Sequence, residues 1–200
     1  MASLSPPRHR SDFEIAIICA LSLEADAVEA LFDKYWDEDG DRKGKSLGDP
    51  NAYTAGVISN HNVVLAHMPG IGKGSAASVA SSFRSSFGGI KLALVVGICG
   101  GVPNTTNGEE IVLGDIIISD GIVEYDFGKQ LPDRFIRKDT LIDSLGRPNA
   151  EIRALLTKLK GRRSRKRLQD SISRYLAVLR QELGQESASY FRATANYAVR

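Results

Sequence analysis

Two cysteines in 200 residues, Cys19 and Cys99, cannot build a disulfide framework. Only three histidines are present, at positions 9, 61 and 67, too scattered to complete a zinc set with them. A reduced compartment inside the cell, the cytoplasm, is therefore the default expectation. No apolar run reaches the ~18–20 residues of a membrane span, so a soluble protein with no membrane partner is expected. Met1–Arg10 carries prolines and charges but lacks the apolar stretch of a secretory signal. There is no internal repeat. Core material is not in short supply: apolar residues make up 42% of the chain, which excludes global disorder.

The net charge of +2 hides an asymmetry. Residues 1–128 carry 9 Lys/Arg against 17 Asp/Glu, and residues 129–200 carry 17 against 7. The first part reads as a compact globular unit and the second as charged helix with a basic cluster. That cluster, Lys158–Arg167, holds seven cations in ten residues. It suits a solvated helix junction, a nuclear-targeting or nucleic-acid patch, or an acidic partner. No aromatic residues interleave with it, so stacking on single strands is not expected.

Phe13–Cys19 is short and rich in isoleucine, which predicts a buried strand. Ser22 is placed to cap a helix with Leu23, Ala27, Ala30 and Leu31 on one face. Residues 37–50 form a charged, turn-rich loop. Strands are expected at Tyr53–Ser59 and Val63–Met68, with Asn60–Asn62 as the hairpin turn. A helix follows over Ser75–Phe87, then a buried strand at Leu92–Ile98. Pro103–Glu110 reads as loop, Asp115–Ser119 and Ile122–Tyr125 as strands, and residues 129–148 as irregular. Asn149 and Ser164 each cap a helix, to about Lys160 and about Leu183. The second carries an apolar stripe of Leu168, Ile172, Leu176, Leu179 and Leu183. Alternating strands and helices with buried strands point to an α/β sheet.

Two strand-to-loop junctions are rich in glycine: Pro69-Gly-Ile-Gly-Lys-Gly74 and Gly97-Ile-Cys-Gly-Gly101. In α/β sheets ligands bind beyond the carboxyl ends of strands, and glycine lets backbone approach them. Tight turns alone would also account for both clusters. Neither nucleotide-loop pattern fits. A P-loop needs Gly where His67 stands and Ser or Thr where Gly74 stands. The dinucleotide fingerprint needs Gly where Ser75 stands and an acid near Lys91. Glu24 follows the first strand, in the first turn of the expected helix. A carboxylate there can hold or deprotonate a water, or simply complement the helix dipole.

Ile17-Ile-Cys-Ala-Leu-Ser-Leu-Glu24, Pro69-Gly-Ile-Gly-Lys73, Val96-Gly-Ile-Cys-Gly-Gly101 and Leu113-Gly-Asp-Ile-Ile-Ile-Ser119 stand in that order. Together, over roughly residues 13–128, they resemble the purine nucleoside phosphorylase and methylthioadenosine nucleosidase superfamily. The basic helical insertion resembles the version at the N-terminus of fungal NACHT- or ankyrin-bearing proteins. The resemblance implies a three-layer α/β/α fold around a mixed, twisted sheet, here incomplete. With it, residues 13–148 are expected as the N-terminal half of the nucleoside phosphorylase-like domain and 149–187 as the basic helical insertion; residues 1–12, polar and proline-bearing, read as a disordered leader, and 188–200, without clear pattern, as an unstructured tail.

The family cleaves the N-glycosidic bond of nucleosides with phosphate or water. In its nucleosidase branch the acid at the position of Glu24 holds the attacking water. In its phosphorylase branch a phosphate-binding Arg stands there, and a second Arg precedes the Gly-x-Cys-Gly turn. Here that second position is Val95, and the usual Ser of the turn is Ile98. Phosphate is a dianion that needs cationic donors, so hydrolysis is the expected reaction. By the same resemblance Ile71 and the backbone of Gly70–Gly72 contact the nucleoside, and Ile98, Cys99 and Gly100 line the base and ribose side. Cys99 has no evident His partner and counts as a small apolar residue. The implied substrate is a purine nucleoside or nucleotide. No cofactor and no metal are expected, nucleic acid is not an expected partner, and homo-oligomerisation is left open.

The family's late Met-Glu pair for the ribose hydroxyls and Ser-Asp pair for the purine are missing after residue 150. The chain is therefore expected to be a truncated and inactive form. The alternative is a non-catalytic nucleoside-sensing or interaction module of a signalling protein. Lys158–Arg167 leaves nuclear entry open beside the cytoplasm.

Overall fold

The structure is a computed structural model that describes residues 6–36, 45–103, 110–138, 140 and 147–182. Residues 37–44 of the loop expected at 37–50, residues 104–109 of the loop expected at Pro103–Glu110, Leu183 of the expected stripe and the tail 188–200 lie outside the described residues. The chain divides into two units, Met1–Val112 with Ser173–Asn196, and Leu113–Ile172 with Tyr197–Arg200.

In the first unit the order is β1 (Ile15–Cys19), α1 (Ser22–Glu29), β2 (Lys34–Tyr35), β3 (Ala52–Ile58), β4 (His61–His67), α2 (Lys73–Ser86) and β5 (Leu92–Val95). The five strands form one sheet in the order β2-β3-β4-β1-β5. β1 runs parallel to β4 and β5, and β3 is antiparallel to β2 and β4. The sheet is mixed, as expected.

Period-two alternation sends the side chains of β1 and β4 to both faces. Ala16, Ile18, Val64 and Ala66 pack with Val79, Phe83 and Phe87 of the α2 side. Ile17, Cys19, Val63 and Leu65 pack with Ala25 and Val28 of α1. One helix thus covers each face, which gives the three-layer α/β/α arrangement. The α2 face is largely aromatic. Tyr53 stands edge-on to Phe83 and Phe87, with ring centroids 5.3 and 5.0 Å away.

A polar network ties the segment before β3 to α2. The buried Asp49 carboxylate accepts from Asn51 N at 2.9 Å, Tyr53 OH at 2.7 Å and Ser86 Oγ at 2.5 Å. Burial opposes ionisation there, but these donors hold the carboxyl below the ordinary aspartate range. Burial also drives the Tyr53 phenol far above its usual value. No buried side-chain polar atom among the described residues lacks a partner.

Several elements depart from expectation. Residues 6–12, assigned to a disordered leader, include a buried Pro7 and a 3-10 turn at Arg10–Asp12. The β3–β4 turn is Ser59–Asn60, because Ile58 pairs with His61 and Ser59 adopts a φ of 56°. The helix expected from Ser164 begins at Arg162. The strand expected at Leu92–Ile98 ends at Val95 and is not buried. It is an edge strand paired on one side to β1, and Val95 is 83% exposed.

In the second unit no strand forms at Asp115–Ser119 or Ile122–Tyr125. Those runs have strand composition but pair in no strand ladder among the described residues, and Ile116–Ile118 and Ile122–Val123 stay exposed. The segment expected to be irregular instead holds a hairpin of β6 (Gly128–Gln130) and β7 (Phe135–Arg137). α3 (Ala150–Lys160) is capped as the sequence predicts, with Asn149 Oδ1 accepting from Ile152 N at 2.9 Å. The last helix, α4, runs over Arg162–Glu182. No helix among the described residues is long and apolar enough to cross a membrane.

Candidate functional site

Because β4, β1 and β5 are parallel neighbours, their carboxyl ends meet at one end of the sheet. Gly70–Gly72 follow β4, Glu24 follows β1, and Ile98–Gly100 follow β5. The strand order β4-β1-β5 sets the Glu24 turn between the two glycine loops. This is the end of an open α/β sheet where ligands bind.

Local sequence places Glu24. Leu21 is extended, and Ser22 opens α1 rather than capping it. Glu24 is the third helical residue, and its side chain reaches back to the chain before the helix, as the acid of a capping box does. Oε2 accepts from Ala20 N and Leu21 N, both at 3.0 Å. Oε1 accepts from Ile98 N at 2.8 Å. That third bond joins the β1–α1 turn to the turn after β5.

Partial burial works against ionisation of Glu24. The N–H groups of Ile98, Leu21 and Ala20 outweigh it and hold the carboxyl below the ordinary glutamate range. An ionised carboxylate has about four acceptor positions, and three are taken. What remains suits holding a water in place. A group held so far below neutrality is a weak proton acceptor.

Gly97 makes this contact possible. A Cβ there would lie 2.6 Å from Glu24 Oε1. Gly97→Ala is therefore expected to push the carboxylate away and break its bond to Ile98 N, at a cost of about 1.5–3 kcal/mol for a hydrogen bond to a charged group. Hydrogen exchange should show the Ile98 amide losing protection. Unchanged protection would mean that the carboxylate does not hold this turn.

The remaining expected site residues stand on open surface. Gly72 has a φ of 124°, which only glycine adopts readily, and it precedes α2. Ile71 and Ile98 are 76% and 75% exposed. Gly70 and Gly100 have free space where a Cβ would stand, and Cys99 is exposed. Of the expected site residues, Glu24 and Ile98 are brought into direct contact. The Gly70–Gly72 loop shares their sheet end. A shallow polar depression lined by Ser46, Gly48, Asp49, Ser81 and Ser85 includes no expected site residue.

A second polar cluster escaped sequence reasoning. Thr54 Oγ1 donates to Glu29 Oε1 at 2.7 Å and lies 2.8 Å from His67 Nε2. His67 pairs with Cys19 across β1 and β4. The Cys19 thiol is pushed up to about 11, first by burial and then by the charges of Glu24 and Glu29. It is therefore an inert core thiol. No local signal links residues so far apart in sequence. The backbone donors to Glu24 are likewise invisible to sequence, and only the glycine at position 97 hints at a close approach.

A family model described as "Phosphorylase superfamily" matches residues 14–167. A nucleotide-binding leucine-rich repeat (NLR)-like protein of Hyaloscypha variabilis is 34% identical over 141 residues, which is 68% of this chain and 13% of the relative. The chain thus spans a small part of that relative's length. No solved structure matches it.

Proposed function

The chain belongs to the phosphorylase superfamily, and from that membership we propose that it handles purine nucleosides by chemistry suited to water rather than phosphate. Glu24 carries this reading. Its carboxylate stands at the carboxyl end of the sheet and takes three backbone N–H groups that could otherwise serve an anion. A phosphate dianion would meet like charge there. Residues 11–33 and 92–128, which supply two of the three loops, contain no Lys or Arg. The third loop supplies one cation, Lys73. A neutral water needs no cationic clamp, and Glu24 has one acceptor position left for it. In this reading Ile71 and Gly70–Gly72 lie along the nucleoside, and Ile98, Cys99 and Gly100 along base and ribose.

Calorimetry on the 200-residue chain tests the reading. A purine nucleoside should bind with an affinity indifferent to millimolar phosphate, and inorganic phosphate alone should give no heat. Any free base formed should not depend on phosphate. Base release that appears only when phosphate is added would overturn it.

A second reading is a nucleoside-sensing or interaction module that does no catalysis. The name of the NLR-like relative favours it. Tight nucleoside binding without base release, in a longer protein that carries this segment, would select it.

A further inference from the structure

We propose that Ser164 is a phosphorylation site, read by a protein kinase that selects cations on both sides of a serine, and that its phosphate steadies the first turn of α4. Ser164 is the only hydroxyl residue in Lys158–Arg167. Arg162 and Arg163 precede it, Arg165, Lys166 and Arg167 follow it, and all five are exposed. Ser164 itself is partly exposed. A kinase cleft lined with carboxylates distinguishes such a serine by charge. In the transfer, Ser164 Oγ attacks the γ-phosphorus of ATP and the bond from that phosphorus to the bridging oxygen breaks. ADP leaves, and the hydroxyl proton passes to a carboxylate of the kinase.

The start of α4 stands to gain from the added charge. Gly161 precedes it in an extended conformation, with φ −66° and ψ 142°, and has no side chain to act as a cap. Arg165 N bonds back to Gly161 O at 3.0 Å, so the amides of Arg162, Arg163 and Ser164 come before the helical ladder. The first turn has Arg162, Arg163 and Arg165 and no acid. Cations there oppose the helix dipole and weaken the turn. Ser164 is the third helical residue, and side chains tilt toward the helix N-terminus. A phosphate on it, with a charge of about −1.5 to −2, would lie back over those amides. Arg167, three residues on, is at neighbour spacing for an ion pair.

The nearest acids do not already fill this role. Asp120 pairs with Lys160 at 2.8 Å. Asp170 is six residues beyond Ser164, about 120° round the helix and about 9 Å along it. The neighbouring hydroxyls also differ from Ser164. Thr157 lies within α3 and donates to Arg153 O at 2.9 Å. Ser171 follows Asp170, and both Ser171 and Ser173 lie well inside α4. A kinase must draw its acceptor into its cleft, and helix ends fray where interiors do not.

The test incubates the 200-residue chain with magnesium, ATP and the catalytic domain of protein kinase C, which takes serines with basic flanks. Peptide mass spectrometry should place the phosphate on Ser164, and Ser164→Ala should remove it. Arg162→Glu with Arg165→Glu should slow incorporation at least about tenfold, with helix content by circular dichroism retained. Casein kinase II, which selects acidic flanks, should leave Ser164 unmodified. Once the phosphate is in place, hydrogen exchange at the Arg162–Ser164 amides should slow about threefold. Phosphate chiefly on Thr157, Ser171 or Ser173, or no incorporation, would overturn the proposal. So would a rate indifferent to the charge reversal, equal modification by casein kinase II, or exchange unchanged by the phosphate.

Discussion

Leu65→Ala is expected to cost about 2–5 kcal/mol of folding stability, read as a lower urea midpoint with an unchanged slope. Leu65 is 0% exposed at the centre of β4. It pairs with Ile17 on one side and Thr54 on the other, so strands fix its backbone on both edges. Its side chain belongs to the cluster that joins Cys19 and Val63 to Ala25 and Val28 of α1. A hole there closes only if α1 shifts toward the sheet, and the Glu24 bonds at the start of α1 resist that shift. Ile117→Ala is the control. Ile117 is 48% exposed in a run without strand pairing, and its loss should change stability by no more than about 0.5 kcal/mol. If the two variants cost the same, the α1 face of the sheet is not a packed core.

The contrast between Leu65 and Ile117 also marks what the sequence could say about the fold. β1 and β4 were legible because both faces of the sheet demand apolar residues there, and a short run of β-branched residues announces that demand. Ile116–Ile118 announces it equally well, yet forms no strand, because a strand exists only when another strand accepts its hydrogen bonds. β5 was legible as a strand and misread as buried, since its composition does not reveal that it lies at an edge. The β3–β4 turn moved by one residue because the register is set by pairing, with Ser59 rather than a glycine taking the positive φ. At the candidate site, the spacing from β1 placed Glu24 correctly at the start of a helix. Its bond to Ile98, 74 residues away, is a product of the strand order. The Glu29–Thr54–His67 cluster is tertiary for the same reason.

On the proposed reading, Glu24 orients a water and does little to deprotonate it, and this governs the expected rates. Three backbone donors hold its carboxyl below the ordinary glutamate range. A general base works best with a value near the working pH. Most of the acceleration must then come from protonating the departing base and fixing the ribose. By resemblance to the family, a late Ser-Asp pair and a late Met-Glu pair do this work. Residues 151–200 contain neither. Acid assistance is worth about 10²–10⁴-fold, and the lost ribose anchor removes orientation besides. The 200-residue polypeptide should therefore fall well below the ~1–10³ s⁻¹ of ordinary enzymes when base release from adenosine is followed by chromatography. In a longer protein that carries this segment and does release base, Glu24→Gln should lower turnover about 10²-fold or more. The amide presents an N–H to one of the backbone donors, so it loses a partner as well as the charge. Turnover at an ordinary rate by the 200 residues alone would show that the chemistry uses other groups. A longer protein indifferent to Glu24→Gln would show that the water is held elsewhere.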